Sequence, residues 1–113
     1  MDCTFCKIVA GDIPSNILHR DDDVVAFRDI NPQAPVHVLI VSREHITLLS
    51  DLTKEQLALV GHMVSVANQL ARSEGVCDSG YRVVINCGYQ GGQLVPHLHM
   101  HLLGGRNLSG TLG

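Results

Sequence analysis

His97-Leu98-His99-Met100-His101-Leu102-Leu103 is the stretch on which the reading of this chain turns. In an extended strand successive side chains point to opposite faces, so Leu98, Met100 and Leu102 share one face and the three imidazoles share the other. The apolar face can join a core. The imidazole face forms a row of rings ~6.5 Å apart, the repeat of every second strand residue. A solvated edge strand, a fortuitous metal-chelating ladder or three separately hydrogen-bonded core histidines would also give alternation. Strict alternation of three beside a glycine-rich turn points instead to chemistry.

Outward from this stretch, Tyr81 to Asn86 reads as the preceding strand, joined to His97–Leu103 by Gly88-Tyr89-Gln90-Gly91-Gly92-Gln93. Two β-branched runs, Val24–Phe27 and Val36–Val41, flank the spacer Asn31-Pro32-Gln33-Ala34-Pro35, whose prolines cannot donate to a ladder. Short connections favour antiparallel pairing. A long helix is expected over Lys54–Glu74, opened by the capping box Thr53-Lys54-Glu55-Gln56 and ended by Gly75, and a short one over residues 4–10, stopped by Gly11 and Ile13-Pro14. The order predicts an α+β domain with an antiparallel sheet. Leu57, Val60, Val64, Ala67 and Ala71 recur at helical spacing, and Leu59, Met63, Val66 and Leu70 widen the apolar arc. That arc fits either a helix sunk between sheet and loops or one partly covered by a second subunit. His62, within the helix, reads as structural or solvent-facing.

The 113 residues, 45% hydrophobic and 17% charged, fit a single domain spanning residues 1–113. With two Phe, two Tyr and no Trp, its core must be aliphatic. A net charge of −3 supplies no field for a long nucleic acid, so any nucleotide ligand should be small. No signal-like start and no apolar run of ~18 residues is present, which implies no membrane partner and a cytoplasmic protein. In that compartment Cys3-x-x-Cys6 points to metal or redox chemistry, while Cys77 and Cys87 read as small buried apolar residues.

The row of histidines ending in two apolar residues resembles the signature of the histidine triad (HIT) family of nucleotide hydrolases and transferases. The likeness is nearest to its Hint-like branch of histidine triad nucleotide-binding proteins. It extends along nearly the whole chain through Phe5-Cys6-Lys7-Ile8, Asp12-Ile13-Pro14, Phe27 to His37, Gly91-Gly92-Gln93 and His97 to Arg106. The resemblance implies a HIT-like five-stranded antiparallel sheet with one long and one short helix, paired across a homodimer into ten strands. It implies a purine nucleoside phosphoramidate hydrolase in which His99 attacks the α-phosphorus to form a nucleotidyl-histidine that water then cleaves. His101 would contact phosphate and share a proton network with His37. Asn86, Gly92 and Gln93 would add phosphate contacts. Asp29 would accept the ribose hydroxyls, and Phe5, Ile8, Ile13, Phe27 and Ile30 would form the nucleoside slot. An imidazole with pKa near ~6.5 suits the nucleophile, being largely neutral at pH 7, provided its other nitrogen holds the proton.

Cys3 and Cys6, together with His45 after the second long strand and with His97, make a Cys2His2 set suited to structural zinc, and some members of the family look similar here. No catalytic metal is implied. Two other activities compete: dinucleoside polyphosphate hydrolysis within the same family, and a nucleotide-binding interaction module with little catalysis. Zinc-activated water on the histidine row is a further rival. The chain departs from the Hint pattern at Leu94, where a serine is common, at Pro96, which replaces an aromatic residue, and in a tail, Asn107–Gly113, without tryptophan. Leu94 removes a hydroxyl donor and bears on leaving-group preference and rate.

Overall fold

A computed structural model describes residues 3–113; Met1 and Asp2, which open the segment read for targeting signals, lie outside the described residues. Helix α1 (Thr4–Ala10) is followed by strands β1 (Ile17–Arg20), β2 (Val24–Arg28) and β3 (Val36–Ser42), then two 3-10 turns (Leu49–Asp51 and Lys54–Gln56), helix α2 (Leu57–Ser73), and strands β4 (Tyr81–Val84) and β5 (His99–Gly104). The strands form one five-stranded sheet in the order β1-β2-β3-β5-β4, every pair antiparallel.

Sheet position explains the sequence pattern. The central strands β2 and β3 are buried on both faces and read as continuous apolar runs. On one face Val24, Ala26, Val38, Ile40, Met100 and Leu102 pack against Met63, Val66, Ala67, Leu70 and Ala71 of α2. On the other, Val25, Phe27, Leu39 and Val41 pack against Phe5 and Ile8 of α1 and against Cys3. The even residues of the histidine stretch join the first layer, and the row of rings faces the second.

Several boundaries differ from the sequence reading. The capping box on Thr53 forms with Gln56 but opens a 3-10 turn, so the α-helix begins at Leu57 rather than Lys54. The strand expected over Tyr81–Asn86 ends at Val84, because Asn86 turns into the loop. The strand expected from His97 begins at His99: the His97 N–H bonds to Val95 O (2.8 Å) and the Leu98 N–H to Ile46 O (2.6 Å), so the backbone there is claimed by loops. Leu57 is 57% exposed and Val64 40%, which puts them on the outer side of α2 while residues 63, 66, 67, 70 and 71 face the sheet. Cys77 is exposed and Cys87 half-buried, contrary to the expectation of burial. Val76 takes the core position beside the former, and the latter opens the glycine-rich loop. Among the described residues no helix is long and apolar enough to cross a membrane.

Candidate active site and metal centre

The three rings lie along one side of the sheet. The His99 and His101 centroids are 5.0 Å apart, and Phe5 of α1 meets both His97 (5.9 Å) and His99 (5.0 Å) edge to face. Register places His99 opposite Val41 and His101 opposite Leu39 of β3. His37, at the start of β3, is buried and reaches His101.

Unambiguous partners fix where each proton sits. A carbonyl only accepts, so the His99 Nδ1–H donates to His97 O (2.6 Å) and its Nε2 keeps a lone pair. The Gln33 backbone N–H only donates, to His37 Nδ1 (3.0 Å), so neutral His37 carries its proton on Nε2. That Nε2–H donates to His101 Nδ1 (2.9 Å), which leaves the His101 proton on Nε2. Adjacent rings therefore present opposite faces of imidazole chemistry, a lone pair on His99 and an N–H on His101.

Burial favours these neutral forms. It lowers the pKa of His99 and of His37, and the Asp29 carboxylate offsets part of the effect in each. His101 is pushed down to about 4 by burial, with the His99 and His37 rings adding to the shift. Asp29 lies 3.4 Å from His37 Nε2 through one oxygen and accepts the Asn31 N–H (2.9 Å) through the other.

Around this row the structure sorts the other expected site residues. Phe5, Ile8 and Phe27 are buried together, the two phenyl rings 5.6 Å apart, and Ile13 packs on their rim. Ile30 is 88% exposed in the loop after β2 and does not join them. Asn86 donates Nδ2–H to Gly91 O (2.7 Å), stitching the loop across its base. Gln93 accepts from Gly88 N–H (2.8 Å) and gives both amide hydrogens to carbonyls, Thr47 O (2.8 Å) and Val95 O (3.0 Å). Its side chain is thus spent on holding the loop. A Cβ at Gly91 would stand 2.3 Å from Cys87 O, so glycine is required there, and Gly92 completes the turn at φ 82°.

At the other end of the row, Cys3, Cys6, His45 and His97 bring their ligand atoms within 4.8 Å of one another. The His97 Nε2–H donates to Ser42 O (2.6 Å), which leaves Nδ1 as a lone pair 3.3 Å from Cys3 Sγ and 3.6 Å from Cys6 Sγ. His45 turns Nδ1 to Cys6 Sγ (3.1 Å) while its Nε2 meets Thr47 Oγ1 (3.3 Å). Two sulfurs and two imidazole nitrogens converging from three segments fit a tetrahedral borderline-soft cation such as zinc. Burial and the Cys3 thiol raise the Cys6 pKa, so an ion here would displace a proton.

The sequence did not indicate Ser42, Thr47 or the Gln33 N–H, which orient His97, His45 and His37. Two of these act through main-chain atoms and leave no residue-type signal.

The family model described as "Scavenger mRNA decapping enzyme C-term binding" matches residues 2–111. The chain belongs to the histidine triad family. It is 47% identical to the purine nucleoside phosphoramidase of Escherichia coli K12, over 96% of this chain and 91% of that protein. It is also 46% identical to a 14 kDa zinc-binding protein of Zea mays, over 93% of this chain and 83% of the other. The crystal structure of a HIT family hydrolase from Legionella pneumophila superposes with a TM-score of 0.96 at 43% identity, covering 99% of this chain and all of that one.

Proposed function

We propose that this protein hydrolyses purine nucleoside phosphoramidates through a nucleotidyl-His99 intermediate. The supporting observation is the paired tautomer state: His99 offers a nitrogen lone pair and the next ring an N–H. The His99 Nε2 forms a bond to the α-phosphorus as the P–N bond breaks, and the nitrogen leaves as an amine, taking one proton from solvent that the hydrolysis step returns. Water then breaks the Nε2–P bond, giving the nucleoside monophosphate and restoring neutral His99. The His101 Nε2–H donates to a phosphoryl oxygen as charge builds there, the role in which a fixed donor matters most. Asp29 accepts the ribose hydroxyls. Phe5, Ile8, Ile13 and Phe27 receive the base, and the Asn86–Gln93 loop borders the phosphate, where Gly91 and Gly92 leave that side free of side chains. The 47% identity to a purine nucleoside phosphoramidase supports the substrate class.

In this reading no metal acts at phosphorus. Zinc held by Cys3, Cys6, His45 and His97 is structural: it ties α1 to the segment before β5 and holds the residue whose carbonyl orients His99. The 1–113 chain acts as one domain in a cytoplasmic homodimer. Exposed Leu57 and Val64 of α2, and Val83 on edge strand β4, form the face that a second copy covers to give a ten-stranded sheet.

The test is steady-state turnover of an adenosine 5′-phosphoramidate against a diadenosine polyphosphate, with the wild type and His99→Ala, before and after chelation. Preferential P–N cleavage that survives chelation and is lost in His99→Ala is expected. Equal or better cleavage of the polyphosphate would move the assignment to that activity. Tight nucleotide binding without turnover would make the protein a binding module.

A further inference from the structure

A second group of metal-ligating side chains lies away from the histidine row, where β1, the β1–β2 turn and α2 meet. Asp21 uses Oδ1 to accept the Asp23 and Val24 N–H groups (2.8 and 2.9 Å), which locks the carboxylate. Its other oxygen, Oδ2, faces two imidazoles: His19 Nε2 at 2.6 Å and His62 Nε2 at 2.7 Å. Asp23 completes the group, for the ligand atoms of Asp21, Asp23 and His62 all lie within 4.8 Å of one another.

We propose that Asp21, Asp23 and His62 form a binding site for a divalent first-row transition cation, with His19 beside them on Asp21 Oδ2, chemically unlike the cysteine-containing centre. Imidazole nitrogen and carboxylate oxygen are the donors that zinc, cobalt and nickel share, and no sulfur is among them. The separations suit such an ion. Bonds of ~2.0–2.2 Å place tetrahedral ligands about 3.3–3.6 Å apart, so the short His62–Asp21 contact opens slightly and the Asp23 carboxylate, already within 4.8 Å of both, adjusts to meet the ion. Each neutral ring frees Nε2 by moving its proton to Nδ1. The surroundings favour a cation as well: the adjoining groove is lined by Asp22, Asp23, Glu44, Glu55 and His62, with no lysine or arginine among its lining residues. Arg43 donates to the main-chain Asp21 O (3.3 Å). Although burial opposes ionisation, hydrogen bonds from His19, the Asp23 N–H, His62 and the Val24 N–H hold the Asp21 carboxyl well below the usual range, so it is charged at neutral pH. The bound ion cross-links β1 and its turn to α2, two parts of the chain about forty residues apart in sequence.

Cobalt(II) titration separates this site from the first, since only the cysteine centre gives a thiolate-to-cobalt charge-transfer band. The wild type should take one further equivalent whose d–d absorption appears without that band, and should gain thermal stability as it fills. His62→Gln and Asp23→Asn should each weaken this second equivalent beyond the ~10–100-fold that losing an outer-shell partner costs, without changing phosphoramidate turnover or the first equivalent. His19→Gln should weaken it less. The inference is overturned if the wild type takes up no such equivalent, or if one persists undiminished in both His62→Gln and Asp23→Asn. Both half-exposed His62 and exposed Asp23 tolerate substitution, so loss of folding in one leaves the other to decide.

Discussion

His97 and His101 flank His99 at equal distances along the chain, yet they are held in opposite senses. The Nε2–H of His97 is fixed by a carbonyl and its Nδ1 is turned toward sulfur. His101 receives a hydrogen bond on Nδ1 and turns its N–H outward. A repeat of one residue type therefore does not mean a repeat of one role. What differs is the partner behind each ring, and that partner is set by where the backbone leaves the ladder: His97 lies before β5 begins, among loop carbonyls, while His101 lies within it, opposite β3. His99, between them, takes its tautomer from the carbonyl of the first and its neighbouring donor from the second.

The comparison can be broken by removing one ring at a time. His99→Ala should have the largest effect, a loss of about 10⁴-fold or more in kcat, as when a nucleophile is deleted elsewhere. Residual turnover near wild type would show that another group attacks phosphorus. His101→Ala removes a single donor, and kcat should fall ~10²–10³-fold with a smaller change in KM. A change confined to KM would mean that His101 only binds substrate. Cys3→Ser should abolish the thiolate-ligated zinc equivalent on metal analysis and lower the melting temperature, while the adduct on His99 still forms, more slowly. Loss of adduct formation alongside full retention of zinc would reverse the roles given to the two ends of the row.

The smallest effect expected is on stability as a function of pH. His101 titrates near pH 4 when folded and near ~6.5 when unfolded. Between these values the unfolded chain holds the extra proton, so stability must fall as pH drops from about 6.5 toward 4 and level off below. Burial of His37 adds in the same direction. Urea denaturation across this range should show the slope in wild type and a shallower one in His101→Asn. An unchanged slope would mean that His101 is not held neutral in the folded protein.

Much of this arrangement was legible in the sequence because alternation in a strand is a strict geometric rule. Leu98, Met100 and Leu102 could only take one face, and β2 and β3 announced themselves as buried by unbroken apolar runs. The Cys2His2 set was legible for another reason, since thiols and imidazoles are few and their types alone restrict what they hold. β1 was not identified by residue, because Ile17-Leu18-His19-Arg20 is short, polar at one end and irregular in register between Ile17 and His19. The Gln93 amide looked like a phosphate donor, but composition cannot say that both its hydrogens are committed to Thr47 O and Val95 O. Ile30 looked like part of an apolar slot, and only the path of the loop after β2 turns it outward. For His37, His97, His99 and His101 the partner that decided the ring's chemistry was a main-chain atom or another ring, and main-chain atoms are the same in every sequence.

The central claim is that the middle ring bonds to phosphorus, and rapid acid-free quenching of the enzyme during turnover, followed by peptide mass analysis, tests it directly. With a purine nucleoside phosphoramidate as substrate, the account predicts a nucleotidyl group on the peptide containing His99, attached at Nε2, and absent from His99→Ala. A nucleotidyl group on His101, or turnover in which water attacks phosphorus with no adduct on any histidine, would contradict it.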